Sequence, residues 1–329
     1  MCKAVRIHRT GGPEVLRLDD VHVGTPGAGQ ARVRHTVIGV NFIDTYHRSG
    51  LYPLPALPHG IGMEAAGVVQ SLGEGVSELR VGQRVAYAAG PPGAYAEARL
   101  IAADRLVPLP DDISDEQGAA MMLKGMTVAY LIRRTFPVAA GMTVLWHAAA
   151  GGVGLLACQW LAALGVRVIG TVGSDAKAEL AQAHGCAHTI VYGRQDVAAA
   201  VRELTDGVGV PVVYDSVGRD TFEASLASLR PRGMLVGFGN ASGAPGPFDP
   251  LALARGGSLY LTRPTLFDYT ATRAELLASA AALFDVVRSG AVRVAVHQRW
   301  PLADAVGCHR ALEGRRTQGA SVLTLGGDI

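Results

Sequence analysis

The chain has 329 residues, enough for two domains of ordinary size, with 49% hydrophobic residues, 18% charged residues and 42 glycines. Its 30 basic and 28 acidic side chains leave a net charge of +2, and no lysine/arginine block occurs, which argues against nucleic acid as a partner. Cys2, Cys158, Cys186 and Cys308 are scattered without C-x-x-C spacing, so they fit reduced cytosolic thiols better than a disulfide framework or a zinc site.

The opening MCKAVRIHRTGG reads as a strand ending in a turn and lacks the apolar region of a signal peptide, so a cytoplasmic protein is expected. From Met1 to about Leu123 the pattern is β-rich, with short runs such as Lys3 to Ile7, Ala31 to Val40 and Ala65 to Ser71 bounded by Gly, Pro or Asp. An irregular barrel suits this half better than an α/β layer. Ser114-Asp115-Glu116-Gln117 has the spacing of a capping box, and a second helix is expected from about Lys124 to Arg134.

No Asp, Glu, Lys or Arg occurs between Arg134 and Arg167, a stretch that hydropathy alone could mistake for a membrane span. Its glycines divide it into short patterns, as expected of a buried parallel strand and its helix, so no membrane insertion is expected. Met142 to His147 reads as a strand, Ala148 to Gly152 as a tight turn, Val153 to Leu164 as a helix and Val166 to Val172 as a second strand. The turn has the form A-x-G-x-x-G at Ala149, Gly151 and Gly154. Gly151 and Gly152 let backbone N–H groups approach a pyrophosphate at the start of the helix that Val153 enters, and Gly154 lets helix and strand pack closely. Its place in a βαβ unit points to dinucleotide binding.

The second strand ends Thr171-Val172-Gly173-Ser174, with Lys177 one helical turn along. NAD sites place an acid about here for the ribose 2′-OH, whereas a hydroxyl and a cation suit a 2′-phosphate, which points to NADPH. Asp175 complicates that choice: it is either a favourable acid in a helix's first turn or a ribose contact that admits NAD. Strand and helix then alternate, with helices near Asp175 to His184 and Asp196 to Thr205 and strands near His188 to Val191, Val210 to Tyr214, Met234 to Phe238 and Ser258 to Leu261. This alternation implies a Rossmann-like doubly wound parallel sheet. Thr272-Arg273-Ala274-Glu275 caps a further helix, and the last forty residues, too few for a domain, are expected to fold back onto the barrel.

Several segments are similar to a known family: Gly39 to Tyr46, Arg48 to Pro53, the turn His147 to Gly154, and Tyr214 to Asp220. Across nearly the whole chain the sequence resembles the NADPH:quinone oxidoreductases, the zeta-crystallin-like branch of the medium-chain dehydrogenase/reductase superfamily. The resemblance implies an α/β chain with a GroES-like catalytic barrel (1–123 and 265–329) and a Rossmann domain (124–264), a homodimer, and NADPH-dependent reduction of a quinone. Zinc alcohol dehydrogenases of the superfamily have a cysteine where Asn41 stands and Gly-His-Glu where Gly62-Met63-Glu64 stands, so no metal is expected.

For the reaction, Asn41 is expected to donate its amide to the acceptor carbonyl or to position the nicotinamide ribose, with Tyr46 and Tyr52 shaping the acceptor pocket. The resemblance implies that Tyr192 joins Ser174 and Lys177 at the 2′-phosphate. Lys124 and Thr127 match a family segment at the domain junction and are expected to make cofactor or cleft contacts. Ser216, Phe238, Asn240, Arg263 and Arg315 match segments that line the cofactor groove. Plainer readings stand beside these: a turn role for Asn41, a packing ring for Tyr46, a loop aromatic for Tyr52, a helix N-terminus for Lys124 and Thr127, a solvated helix face for Lys177, and surface ion pairs for Arg263 and Arg315. Besides quinone reduction, two other functions fit: reduction of the carbon–carbon double bond of enones or alkenals, and a non-catalytic nucleotide-binding protein with a structural or RNA-binding role.

Overall fold

In the computed structural model, residues 1–88 and 90–326 are described. They divide into two compact units: Met1–Met126 with Thr270–Phe284 and the segment from Val294 on, and Thr127–Tyr269 with Asp285–Arg293.

The first unit is built on a seven-stranded sheet. Its strands run in the spatial order Val296–Pro301, Ala320–Thr324, Gln30–Val40, Glu64–Leu72, Arg84–Ala88 and Val107–Pro108, and Ala98–Ala102 also pairs with Gln30–Val40. A three-stranded sheet places Cys2–Ile7 between Leu16–Val21 and His59–Gly60. Alternation along Arg84–Ala88 sends Val85 and Tyr87 into one core with Ile7, and an irregularity between His35 and Val37 lets Val33 and Ile38, five residues apart, enter the same core, which the tail completes with Leu302, Cys308 and Leu323. The tail does fold back as expected, since Ala320–Thr324 pairs antiparallel with Gln30–Val40.

Two expectations are corrected in this half. A helix, Phe42–Ser49, interrupts the β-rich region, starting at Asn41 in extended geometry and closing on Gly50 at a left-handed φ of 87°. Its signal was Asn41 followed three residues later by Asp44, which accepts the Asn41 backbone N–H at 2.8 Å. Secondly, the two helices expected around Ser114 and Lys124 are one, Asp115–Tyr130. Its glycines do not break it: a Cβ on Gly125 would stand 2.4 Å from Leu283 Cδ1, so that glycine makes room for a neighbouring side chain. The helix ends in a wide turn, where Phe136 N–H donates to the Leu131 carbonyl five residues back at 3.1 Å.

The second unit is a six-stranded, all-parallel sheet in the order His188–Val191, Arg167–Val172, Thr143–Trp146, Val210–Asp215, Leu229–Gly237 and Tyr260–Thr262. In chain order this is 3-2-1-4-5-6, the doubly wound Rossmann arrangement. Leu145, Ile169, Ile190, Val213 and Leu235 meet in its core. The uncharged run thus becomes a buried strand and the helix Gly152–Ala163, and no described helix is long and apolar enough to cross a membrane.

Candidate active site

The glycine turn lies at the carboxyl end of the central strand Thr143–Trp146. Ala149 N–H donates to the Thr171 carbonyl at 3.0 Å, Gly151 N–H returns to the Ala148 carbonyl at 2.9 Å, and Gly151 is the N-cap of the helix that Gly152 and Val153 begin. Ala148 takes the left-handed φ of 55°, a strained setting for a residue with a Cβ. A Cβ on Gly154 would stand 2.4 and 2.6 Å from the carbonyl oxygens of Ala148 and Ala149, so any side chain there would push the helix off the turn. Free N–H groups of a first helical turn and the positive end of its dipole form a seat for a pyrophosphate.

One strand over, Val172 and Val191 pair in register, which brings the residues that follow each strand together. Ser174 caps the helix Asp175–Ala183, its hydroxyl accepting Lys177 N–H at 3.4 Å. The Tyr192 hydroxyl packs against Gly173, 2.7 Å from where a Cβ would stand, and the Tyr192 side chain is half exposed. Gly173, Ser174, Lys177 and Tyr192 therefore share one corner. Sequence reasoning missed a fifth member, Arg194, whose guanidinium ion-pairs with Asp175. A short apolar strand followed by a Tyr-Gly-Arg turn was the available signal.

Towards the other side of the turn, Ser216 and Asn240 follow the carboxyl ends of Val210–Asp215 and Leu229–Gly237. Ala241 N–H donates to the Ser216 carbonyl at 3.1 Å, and Phe238 packs at a tilt against Trp146 with centroids 5.6 Å apart. Asp215 braces this edge: one carboxylate oxygen accepts Val217 and Gly218 N–H at 2.7 and 3.0 Å, and the other accepts Thr221 and Ser225 hydroxyls at 2.7 and 2.8 Å. Arg263, at the end of the outer strand, donates to the Gly237 carbonyl at 3.1 Å. Thr127 belongs to this unit and is buried on the long helix. Arg315 belongs to the first unit, exposed and left-handed at φ 56° just beyond the helix Ala305–Glu313.

In the first unit, Asn41 is held at both ends. Its side-chain amide donates to Glu64 Oε2 at 2.7 Å, and its backbone N–H donates to Asp44. Glu64 is fully buried and also accepts Lys124 Nζ on Oε2 at 3.1 Å and Leu123 N–H on Oε1 at 2.7 Å. Lys124 is thus buried against a carboxylate and balances its charge. Tyr46 and Tyr52 form an edge-to-face pair with centroids 5.2 Å apart, joined by the Tyr52 N–H to Tyr46 carbonyl bond of 3.1 Å. Phe42 continues the aromatic row at 6.3 Å from Tyr46.

These residues do not fit a zinc ion. Both oxygens of Glu64 already accept hydrogen bonds, Asn41 and Met63 offer neither thiolate nor imidazole, and no group of three His, Cys, Asp or Glu side chains among the described residues is arranged for a metal.

Comparison with known proteins identifies the family. Residues 27–111 match the alcohol dehydrogenase GroES-like domain, and residues 152–279 match the family described as zinc-binding dehydrogenase. A quinone oxidoreductase of Pseudomonas aeruginosa is 53% identical, with 98% of this chain and 99% of that protein covered. A 2-haloacrylate reductase of a Burkholderia species is 46% identical over 98% of this chain and 99% of its own length. The crystal structure of an Escherichia coli quinone oxidoreductase complexed with NADPH superposes with a TM-score of 0.97 at 48% identity, covering 98% of this chain and 99% of that one. With near-complete coverage at such identity, and with a GroES-like barrel and a Rossmann sheet both in place, the chain belongs to the quinone oxidoreductase family of the medium-chain dehydrogenases/reductases.

Proposed function

We propose that this chain reduces quinones to hydroquinones with NADPH as the hydride donor and without zinc. The observation that carries the reading is the corner where Ser174, Lys177, Tyr192 and Arg194 gather beside the glycine turn. Two cations and two hydroxyls at a helix N-terminus suit a dianionic phosphate, and Arg194 offsets the carboxylate of Asp175. The N-terminus of Gly152–Ala163 seats the pyrophosphate, and Ser216, Phe238, Asn240 and Arg263 border the nicotinamide end of the sheet edge.

When bound, NADPH supplies a hydride from nicotinamide C4. The protein's own contribution is orientation and a proton. Asn41, fixed by two carboxylates, presents a rigid amide to a carbonyl, and the Tyr46–Tyr52 pair offers aromatic surface to a flat ring. Uptake of one hydride and one proton, the latter from a tyrosine hydroxyl or water, completes the hydroquinone.

The likeness to a 2-haloacrylate reductase favours a second reading, reduction of an activated carbon–carbon double bond. NADPH oxidation measured with 1,4-benzoquinone and with 1-octen-3-one separates the two. Turnover of the quinone alone is expected; turnover of neither would leave only a nucleotide-binding role.

The reading includes a homodimer in the cytoplasm. Tyr260–Thr262 is the outer strand of its sheet and, among the described residues, leaves one edge unpaired, with Tyr260, Leu261 and Leu251 exposed. Such an edge invites pairing with a second copy. Sedimentation at micromolar concentration is expected to give twice the 34.2 kDa chain mass, and a monomer would overturn this part.

A further inference from the structure

Helix Phe42–Ser49 carries Tyr46 and begins at Asn41, and a line of buried side chains fastens it to the C-terminal helix Ala305–Glu313. Arg48, 2% exposed, grips both carboxylate oxygens of Glu313 at 2.9 and 2.6 Å and places Nη1 3.0 Å from His309 Nδ1. A guanidinium only donates, so His309 Nδ1 accepts and the neutral ring carries its proton on Nε2. That nitrogen lies 3.0 Å from Tyr95 Oη, which accepts from it and donates its own proton to Asp44 Oδ2 at 2.9 Å. Asn41 N–H donates to the same oxygen at 2.8 Å. Every donor in the line points towards Asp44.

Two buried carboxyls therefore flank Asn41, and their surroundings differ. Glu64 has Lys124 as a direct counter-charge. Asp44 is also fully buried, but its hydrogen-bond donors are neutral and all on Oδ2, while Oδ1 has no partner among the described residues. Arg48, the nearest cation along the line, is committed to Glu313 and His309. A buried carboxylate so placed is costly, and taking up a proton relieves that cost.

Building on the proposed quinone reduction, we propose that Asp44 is a positioning residue whose proton occupancy sets how firmly Asn41 is held, and so gates the acceptor half of the reaction. Ionised, Asp44 holds Asn41 N–H by a charge-assisted bond; protonated, it holds it by a neutral bond roughly half as strong. The groups facing it are Tyr95, Cys308 and His309, Arg48 on its own helix, Glu313 behind Arg48, and Glu64 and Lys124 beyond Asn41. Burial raises Asp44 to about 7, opposed by the donors Asn41 and Tyr95 and by Lys124. Burial and Arg48 lower His309 to about 3, burial raises Cys308 to about 12, and Tyr95 lies well above its usual range. Of Asp44, His309, Cys308 and Tyr95, Asp44 alone changes charge between pH 5 and 9.

The test is a pH profile of kcat/KM for 1,4-benzoquinone, with the Kd for NADPH measured in parallel. A several-fold rise through a midpoint of about 7 is expected in kcat/KM, with no matching step in Kd. Asp44→Asn should abolish the step, and Tyr95→Phe, which removes a hydrogen bond to the ionised form, should move the midpoint upward. A step that survives Asp44→Asn overturns the proposal; should that variant not fold, an unmoved midpoint in Tyr95→Phe does so. Infrared titration of the protonated carboxyl band reads Asp44 without turnover. No Tyr95-sensitive band at pH 6 overturns the proposal whatever the enzyme reduces. A band that titrates near neutrality without quinone turnover upholds the buried proton and counts against the quinone reading alone.

Discussion

At Asp175 the sequence presents a carboxylate where an unphosphorylated ribose would be favoured, and the structure answers its charge with Arg194, nineteen residues on. The proposed 2′-phosphate corner therefore draws on two cations, Lys177 and Arg194, from different helix–strand connections. Replacing Lys177 by Ala removes one charge-assisted contact, and the ratio of NADPH to NADH affinity is expected to fall about tenfold. Fluorescence titration with both nucleotides reads this; an unchanged ratio would refute the assignment. Arg194→Ala is expected to lower the ratio too, because it removes a cation and leaves Asp175 unanswered. The buried Lys124–Glu64 pair makes a different prediction. Lys124→Met leaves Glu64 charged and without its counter-ion in the interior, which costs about 3–5 kcal/mol. The urea midpoint should drop accordingly, whereas Lys124→Met paired with Glu64→Gln should recover part of the loss.

Among the elements, those written in local chemistry were legible in the sequence. The boxes at Ser114–Gln117 and Thr272–Glu275 both close reciprocally, with bonds of 3.0 and 3.1 Å in the first and 3.3 and 3.2 Å in the second. Thr272→Ala should cost ~1 kcal/mol in a denaturation experiment. The βαβ turn was equally readable, because Gly154 answers to backbone atoms a few residues away. Gly154→Val is expected to abolish nucleotide binding in a chain that still shows its helical and sheet signals by circular dichroism. What stayed hidden depends on distant partners. Nothing near Gly125 in the sequence names Leu283, and nothing near Asp44 names Tyr95 or His309. The helix at Phe42 was missed because three of its four buried residues, Asp44, Thr45 and Arg48, are polar or charged, so its buried face writes no apolar period.

For the molecule as a whole, buried histidines govern the response to acid. Burial lowers His35 and His47 to about 4 and His309 to about 3, and also lowers His147. Unfolded, such groups titrate near 6.5, so below that pH the unfolded chain binds protons that the folded one refuses. Their contribution is complete above about 6.5 and is lost as pH falls. Asp44 acts oppositely: raised to about 7, it contributes fully below its unfolded value of 3.8 and loses that contribution as pH rises to neutrality. Four histidines outweigh one carboxyl, so the urea midpoint is expected to climb from pH 4.5 to 6.5, and more steeply in Asp44→Asn. A flat profile would contradict these burials. The pairing of Ala320–Thr324 with Gln30–Val40 also bears on how the chain is made. The nucleotide unit is nearly continuous, so it can fold while the ribosome is still at work. The first unit cannot: the Val37–Val40 part of its longest strand waits for residues almost three hundred positions later to emerge. Nascent chains stalled before Ala320 should therefore already protect the nucleotide unit from protease while leaving the barrel open to cleavage and to chaperone capture.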